Sequence, residues 1–142
     1  MTAISSNLYQ LDETLTQLAG EIPPVARRKL MRKIAAYLRT TNRSNITQQK
    51  AANGEKWKAR KNKKIRKKML TGFKRFIKTK SNSETATIGF FGGSHLANIH
   101  HKGKAEEGVK YPERSLIGWT DENHRVIKIM ILEALEESLA FR

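Results

Sequence analysis

Residues 84–93 read ETATIGFFGG, and this stretch decides the fold. β-Branched and aromatic side chains alternate with smaller ones, and glycines close the run at Gly92 and Gly93. Alternate positions on a strand face opposite sides, so the pattern is that of a strand, and it is the strongest such signal in the chain. Helical periodicities flank it on both sides. The expected class is therefore α+β: amphipathic helices flanking a small antiparallel sheet that contains residues 84–91.

Upstream, Phe73, Phe76 and Ile77 supply apolar content, and before them the chain turns strongly basic in KNKKIRKKML, residues 61–70. Thirteen Lys or Arg and no acid fall between Lys56 and Lys80, which leaves only +2 of the net +15 for the rest of the chain. A pI near 10.3 predicts attraction to polyanions or acidic proteins, and one segment carries that imbalance. Trp57, Ile65, Met69 and Leu70 interrupt the charge, and Asn53-Gly54 is a turn signal. The region reads as a mobile or extended connection.

Further upstream, Ile4, Leu8, Leu11, Leu15 and Leu18 recur at steps of four and three, one face of a helix over 5–19 with Ser5 or Ser6 as N-cap. Gly20 and Pro23-Pro24 end it. Pro24 suits the first turn of a second helix, over 25–49, with Val25, Leu30, Ile34 and Leu38 on its apolar face. The two form an N-terminal helical hairpin. Downstream of the strand, Ser94 caps a short helix to His101 that Gly103 closes, and 104–110 read as a loop. Pro112 marks Tyr111–Trp119 as an extended edge segment. Asp121 or Thr120 caps a last helix, 121–140, whose broad apolar face (Val126, Ile127, Met130, Ile131, Ala134, Leu135, Leu139) implies burial on more than one side. At 142 residues the chain fits one domain, 1–142, organised as the hairpin (1–50), the basic connection (51–80), and the strand region with the C-terminal helix (81–142).

The residues argue against an enzyme. With no cysteine, disulfides and thiolate zinc sites are excluded. His95, His100 and His101 cluster, but adjacent histidines on a helix project about 100° apart and no acid lies near, so no metal is expected. No nucleophile elbow frames a serine, and Gly89, Gly92 and Gly93 lack the spacing of a phosphate loop, reading instead as a turn with glycines at positive φ. Glu106-Glu107 and Glu136-Glu137 are sequence neighbours that point apart. No cofactor is expected. The N-terminus lacks the pattern of a signal peptide, and nowhere do eighteen apolar residues run together, so no membrane association is expected.

Two surfaces stand out. Lys61, Lys63, Lys64, Arg66, Lys67 and Lys68 form a contact surface for a polyanion or an acidic partner. Tyr111, Pro112, Arg114 and Trp119 form a candidate subunit or partner interface: two rigid aromatics, a proline that keeps the chain extended, and a guanidinium fork. In this reading Arg114 is a surface charge whose removal barely changes stability; Leu116, Ile117 and Trp119 could instead pack under the last helix.

Several segments in order carry a resemblance: LRTTNRSNITQQKAANGEKWKARK, KKML, ATIGFFG, HLANIHHKG and YPERSLIGWTDEN. Together, from about residue 30 to 125, they resemble the phage virion morphogenesis family, the tail completion proteins of Mu-like and related contractile-tailed phages. The matching positions are Gln48 or Gln49, Gly54 and Trp57, Met69 and Leu70, Gly89 to Gly93, Ile99 with His100 and Gly103, and Tyr111, Pro112, Arg114 and Gly118. Ser115 stands where the family usually has a second proline. The resemblance implies a non-catalytic structural role at the head-proximal end of the tail, enabling head–tail joining, made in the host cytoplasm and retained in the virion. It also implies other tail or neck proteins as partners and a homo-oligomeric ring, in which the basic segment serves assembly and contact with phage DNA is secondary. The rival reading is a non-specific nucleic-acid-binding protein using segment 56–80.

Overall fold

The computed structural model describes residues 13–60, 62–90, 100, 101, 103, 105, 106, 109, 110, 114 and 116–140. Expectations on Ile4, Leu8 and Leu11, on the Ser5 or Ser6 cap, on Phe91–Gly93 and Ser94–Ile99, and on Lys61, Tyr111, Pro112 and Ser115 lie outside them.

Helix α1, Glu13–Gly20, opens with an acid in its first turn and buries Leu15 and Ala19. Its exit is tightened by bonds from the Glu21 and Ile22 amides to the Leu18 and Ala19 carbonyls, and Ile22 plugs the turn at 1% exposure. Pro24, whose fixed φ and missing N–H cost nothing at a helix start, begins α2, Pro24–Thr47. Leu30, Met31, Ile34, Ala35, Leu38, Asn42, Asn45 and Ile46 are its buried stripe. Val25, expected on that stripe, is 80% exposed because it precedes the point where the hairpin closes.

A short 3₁₀ turn, Thr71–Phe76, leads into β1, Ile77–Ser81, which pairs antiparallel with β2, Ala86–Phe90, in the register Ile77↔Phe90 and Thr79↔Ile88. The strand expected at 84–91 is β2. Its partner begins inside what reads from sequence as a connection, because the lysines at 78 and 80 mask the alternation of Ile77 and Thr79. Asn82 shapes the hairpin turn: its Oδ1 accepts from the Glu84 and Thr85 amides at 2.7 and 2.8 Å. Gly89 sits within β2 opposite Lys78, not in a positive-φ turn. The expected loop 104–110 contains a second, two-pair hairpin, β3 (Ala105–Glu106) with β4 (Val109–Lys110).

Helix α3, Asp121–Ala140, has the predicted bounds and starts in a reciprocal cap. The Asn123 amide donates to Thr120 Oγ1 at 3.2 Å, while the Thr120 amide donates to Asn123 Oδ1 at 3.0 Å. Asn123 Nδ2 also donates to the Tyr37 hydroxyl at 2.9 Å, which joins this cap to α2. The helix buries Ile127 and Ile131 on one side only; Ile129, Leu132 and Leu139 are exposed, which corrects the expectation of two-sided burial.

Two apolar clusters result. The first joins α1, the N-terminal half of α2 and α3 through Leu15, Ala19, Ile22, Leu30, Met31, Ile34, Leu38, Ile127 and Ile131. The second joins Ile46 at the end of α2 to Trp57, Ile77, Phe90, Leu116 and Ile117. Ile88 packs against both, and α2 is the rod on which both are built.

Candidate functional site

The basic segment is not a free connection; the end of α2 holds it at two points. The helix closes in a Schellman motif, with the Gln49 amide donating to the Ile46 carbonyl at 3.0 Å and the Lys50 amide to the Asn45 carbonyl at 3.0 Å. Gln49 occupies the left-handed position of that motif, φ 58°, where glycine is usual. Its side chain explains the exception. Gln49 Oε1 accepts from the Met69 amide at 2.7 Å, and Nε2 donates to the Met69 carbonyl at 2.9 Å and to the Ile46 carbonyl at 2.7 Å. Its backbone carbonyl accepts from the Trp57 amide at 2.8 Å. One residue therefore pins both the entry and the exit of the loop between Trp57 and Met69.

Inside that clamp the loop is ordered by local bonds. The turn at Gly54, φ 92°, lets Lys50 and Lys56 form an antiparallel bridge, and Trp57 follows into the second core at 8% exposure. Arg60 Nη2 donates to the Lys67 carbonyl at 3.0 Å, and Asn62 Oδ1 accepts from the Lys64 amide at 3.1 Å. Lys63, Lys64, Arg66, Lys67 and Lys68 are all exposed, with Ile65 46% exposed among them. The loop is thus a displayed basic surface pinned at its base, with the apolar Trp57 and Met69 as its anchors.

Arg114 is placed differently from the sequence reading. It is 8% exposed, donates Nε to the Lys58 carbonyl at 3.1 Å, and its amide donates to the His100 carbonyl at 2.7 Å. It is not a surface charge but a strut between the helical turn at 100–101 and the start of the basic loop. Burial, and then the nearby Arg60, hold its guanidinium below its ordinary pKa. Burial, and then Arg114, likewise depress His100, whose ring meets Phe73 edge-on at 6.0 Å. His101 is structural too: at 4% exposure its Nδ1 accepts from the Leu116 amide at 2.9 Å.

Residues 116–119 of this segment pack inward. Leu116 and Ile117 belong to the second cluster under the end of α2, and Trp119 packs half-buried against the first. Between them, the Gly118 amide donates to Asn42 Oδ1 at 2.9 Å, and a Cβ on Gly118 would lie 2.8 Å from the Ala52 side chain. Asn42, 1% exposed, spends its amide on the Leu38 carbonyl at 2.8 Å. Sequence reading missed Asn42, Asn45 and Asn123 because a buried asparagine leaves no periodic signal; the glycine-tryptophan pair 118–119 was the available hint to the close approach. Among the described residues no group of three or more His, Asp or Glu could hold a metal ion, and no helix is long and apolar enough to cross a membrane.

The fold is small and α+β, and the basic loop at the end of α2 is its displayed cationic surface, of the kind that suits binding or assembly. The family described as phage virion morphogenesis matches residues 6–136, and the chain belongs to it. It is also 30% identical, over 89% of its own length and 96% of the relative's, to the tail completion protein S of Escherichia phage P2. No solved structure matches.

Proposed function

We propose that this chain is a structural, non-enzymatic protein that completes the head-proximal end of a phage tail and enables head–tail joining, acting as a subunit of a homo-oligomeric ring. The observation that carries this reading is the similarity to a tail completion protein over 89% of the chain, within a family match, residues 6–136, that spans both apolar clusters and the clamped basic loop. The partners are neighbouring tail or neck proteins, and the protein is made in the host cytoplasm and kept in the virion tail. The loop 62–68, pinned at its base and displaying five exposed Lys or Arg, suits an acidic face on a neighbouring subunit, with phage DNA a secondary contact. Tyr111, Pro112, Arg114 and Trp119 belong to a second interface segment, within which Arg114 is the buried strut.

The test is a phage carrying a nonsense mutation in this gene, complemented in trans. Lysates without complementation should contain separate filled heads and tails by electron microscopy, and complementation should restore joined particles. Normal particles without the protein would refute the reading. Purified protein measured by light scattering, alone and with isolated tails, tests the ring: a closed oligomer on or off tails supports it, and a monomer in both settings refutes it.

A further inference from the structure

A second cationic feature lies away from the basic loop. Helix α2 contains no acid, and three of its arginines, Arg32, Arg39 and Arg43, fall within about 40° of one another around the helix and span about 16 Å along it. They line one groove of 310 Å³ with Ala35, Ala36 and Thr40 and, from across the groove, Thr79 and Ser81 of β1. The strand explains the hydroxyls. Ile77 anchors the face of β1 that meets α2, and the same face continues at Thr79 and Ser81, where the alternation would otherwise call for apolar residues. Small alanines on the helix keep the gap open.

The arginines are unspent. Among the described residues none of the three forms an ion pair, whereas Arg27, higher on the same helix, is bonded to Glu84 at 3.2 Å. Arg39 Nε is buried without an acceptor. A row of uncompensated guanidiniums beside a row of hydroxyl donors lacks only anionic oxygens. A protein partner would be expected to find an apolar anchor at the centre of such a site, and the groove offers none. Its length exceeds that of a single small anion and matches a run of phosphates.

We propose that this groove is a phosphodiester-binding site that takes a stretch of nucleic-acid backbone without reading sequence. Arg32, Arg39 and Arg43 neutralise successive phosphates, and Thr79 and Ser81 donate to their free oxygens.

The test is the salt dependence of binding to a short labelled DNA duplex, followed by anisotropy from about 50 to about 200 mM salt. Three neutralised phosphates contribute about 2.7 to the log–log slope, so Arg32→Gln/Arg39→Gln/Arg43→Gln should cut the loss of affinity across that range by about fortyfold. Arg32→Gln/Arg43→Gln, which keeps the half-buried Arg39, should lower the slope by about 1.8 and guards against misfolding of the triple variant, with circular dichroism checking both. The charge-matched control is Arg28→Gln/Lys29→Gln/Lys128→Gln, at exposed positions outside both the groove and the basic loop. An unchanged slope in the folded groove variants overturns the proposal. So does an equal fall in that control, which would make the effect one of net charge. Displacement of the duplex by polyglutamate as effectively as by unlabelled duplex also overturns it, in favour of an acidic protein. None of these outcomes depends on head–tail joining.

Discussion

Replacing Gln49 separates two effects that the structure superimposes. The residue holds a left-handed backbone that costs a non-glycine side chain about 1 kcal/mol or slightly more. Against this, its side chain makes three part-buried hydrogen bonds, two to Met69 and one to Ile46, each contributing about 1 kcal/mol net. Gln49→Ala keeps the strain and loses the bonds, so it should destabilise by about 3 kcal/mol. Gln49→Gly loses the same bonds but relieves the strain, so it should destabilise by only about 2 kcal/mol. Urea unfolding gives both values, and hydrogen exchange reads the local effect, since the Met69 amide should lose its protection in both variants. If alanine is tolerated within 0.5 kcal/mol of wild type, a margin of about the size seen for neutral surface changes, or if Met69 stays protected, the clamp does not order the basic loop.

Other expectations follow from single contacts. Gly118→Ala places a methyl 2.8 Å from the Ala52 side chain on a segment bonded to Asn42, so it should lower stability by about 1–3 kcal/mol in a denaturant titration, whereas Gly72→Ala, with nothing within 4 Å, should lie within about 0.5 kcal/mol. Arg114→Ala leaves the Lys58 carbonyl without its donor and should cost about 2 kcal/mol, or about 6 °C in Tm by calorimetry; an unchanged Tm would return Arg114 to the surface. Because burial and Arg114 lower the pKa of His100, the unfolded chain binds its proton first as pH falls. The stability contributed by neutral His100 is present above about pH 6.5 and declines below it, and His100→Gln should flatten that part of the stability–pH curve.

How much of this was legible in the sequence differs from element to element. Helix α3 could be bounded because the Thr120 and Asp121 signals and the apolar spacing of Ile127 and Ile131 agree. β2 was legible because Thr87 and Ile88 are β-branched and Phe90 is aromatic; its partner β1 was not, because Lys78 and Lys80 on the outer face gave it the look of the basic run before it. Among candidate site residues, Lys63 to Lys68 were readable as exposed by charge alone. Arg114 misled because composition cannot reveal a carbonyl 56 positions away in sequence that accepts its Nε proton. The groove arginines on α2 looked like an ordinary solvated face, since only the return of β1 alongside them closes the space.

The division of the core into two clusters along α2 also has a spectroscopic consequence. The chain has two tryptophans, and they fall one to each side: Trp57 is buried in the cluster with Ile46, Ile77 and Phe90, while Trp119 leans against the one with Leu30 and Ile127. Replacing either with phenylalanine leaves a single emitter that reports its own half. The wavelength shift of each emitter under denaturant then tells whether the end of α2 that carries the basic loop melts with the helical end or ahead of it. The same two signals distinguish which half a binding partner touches.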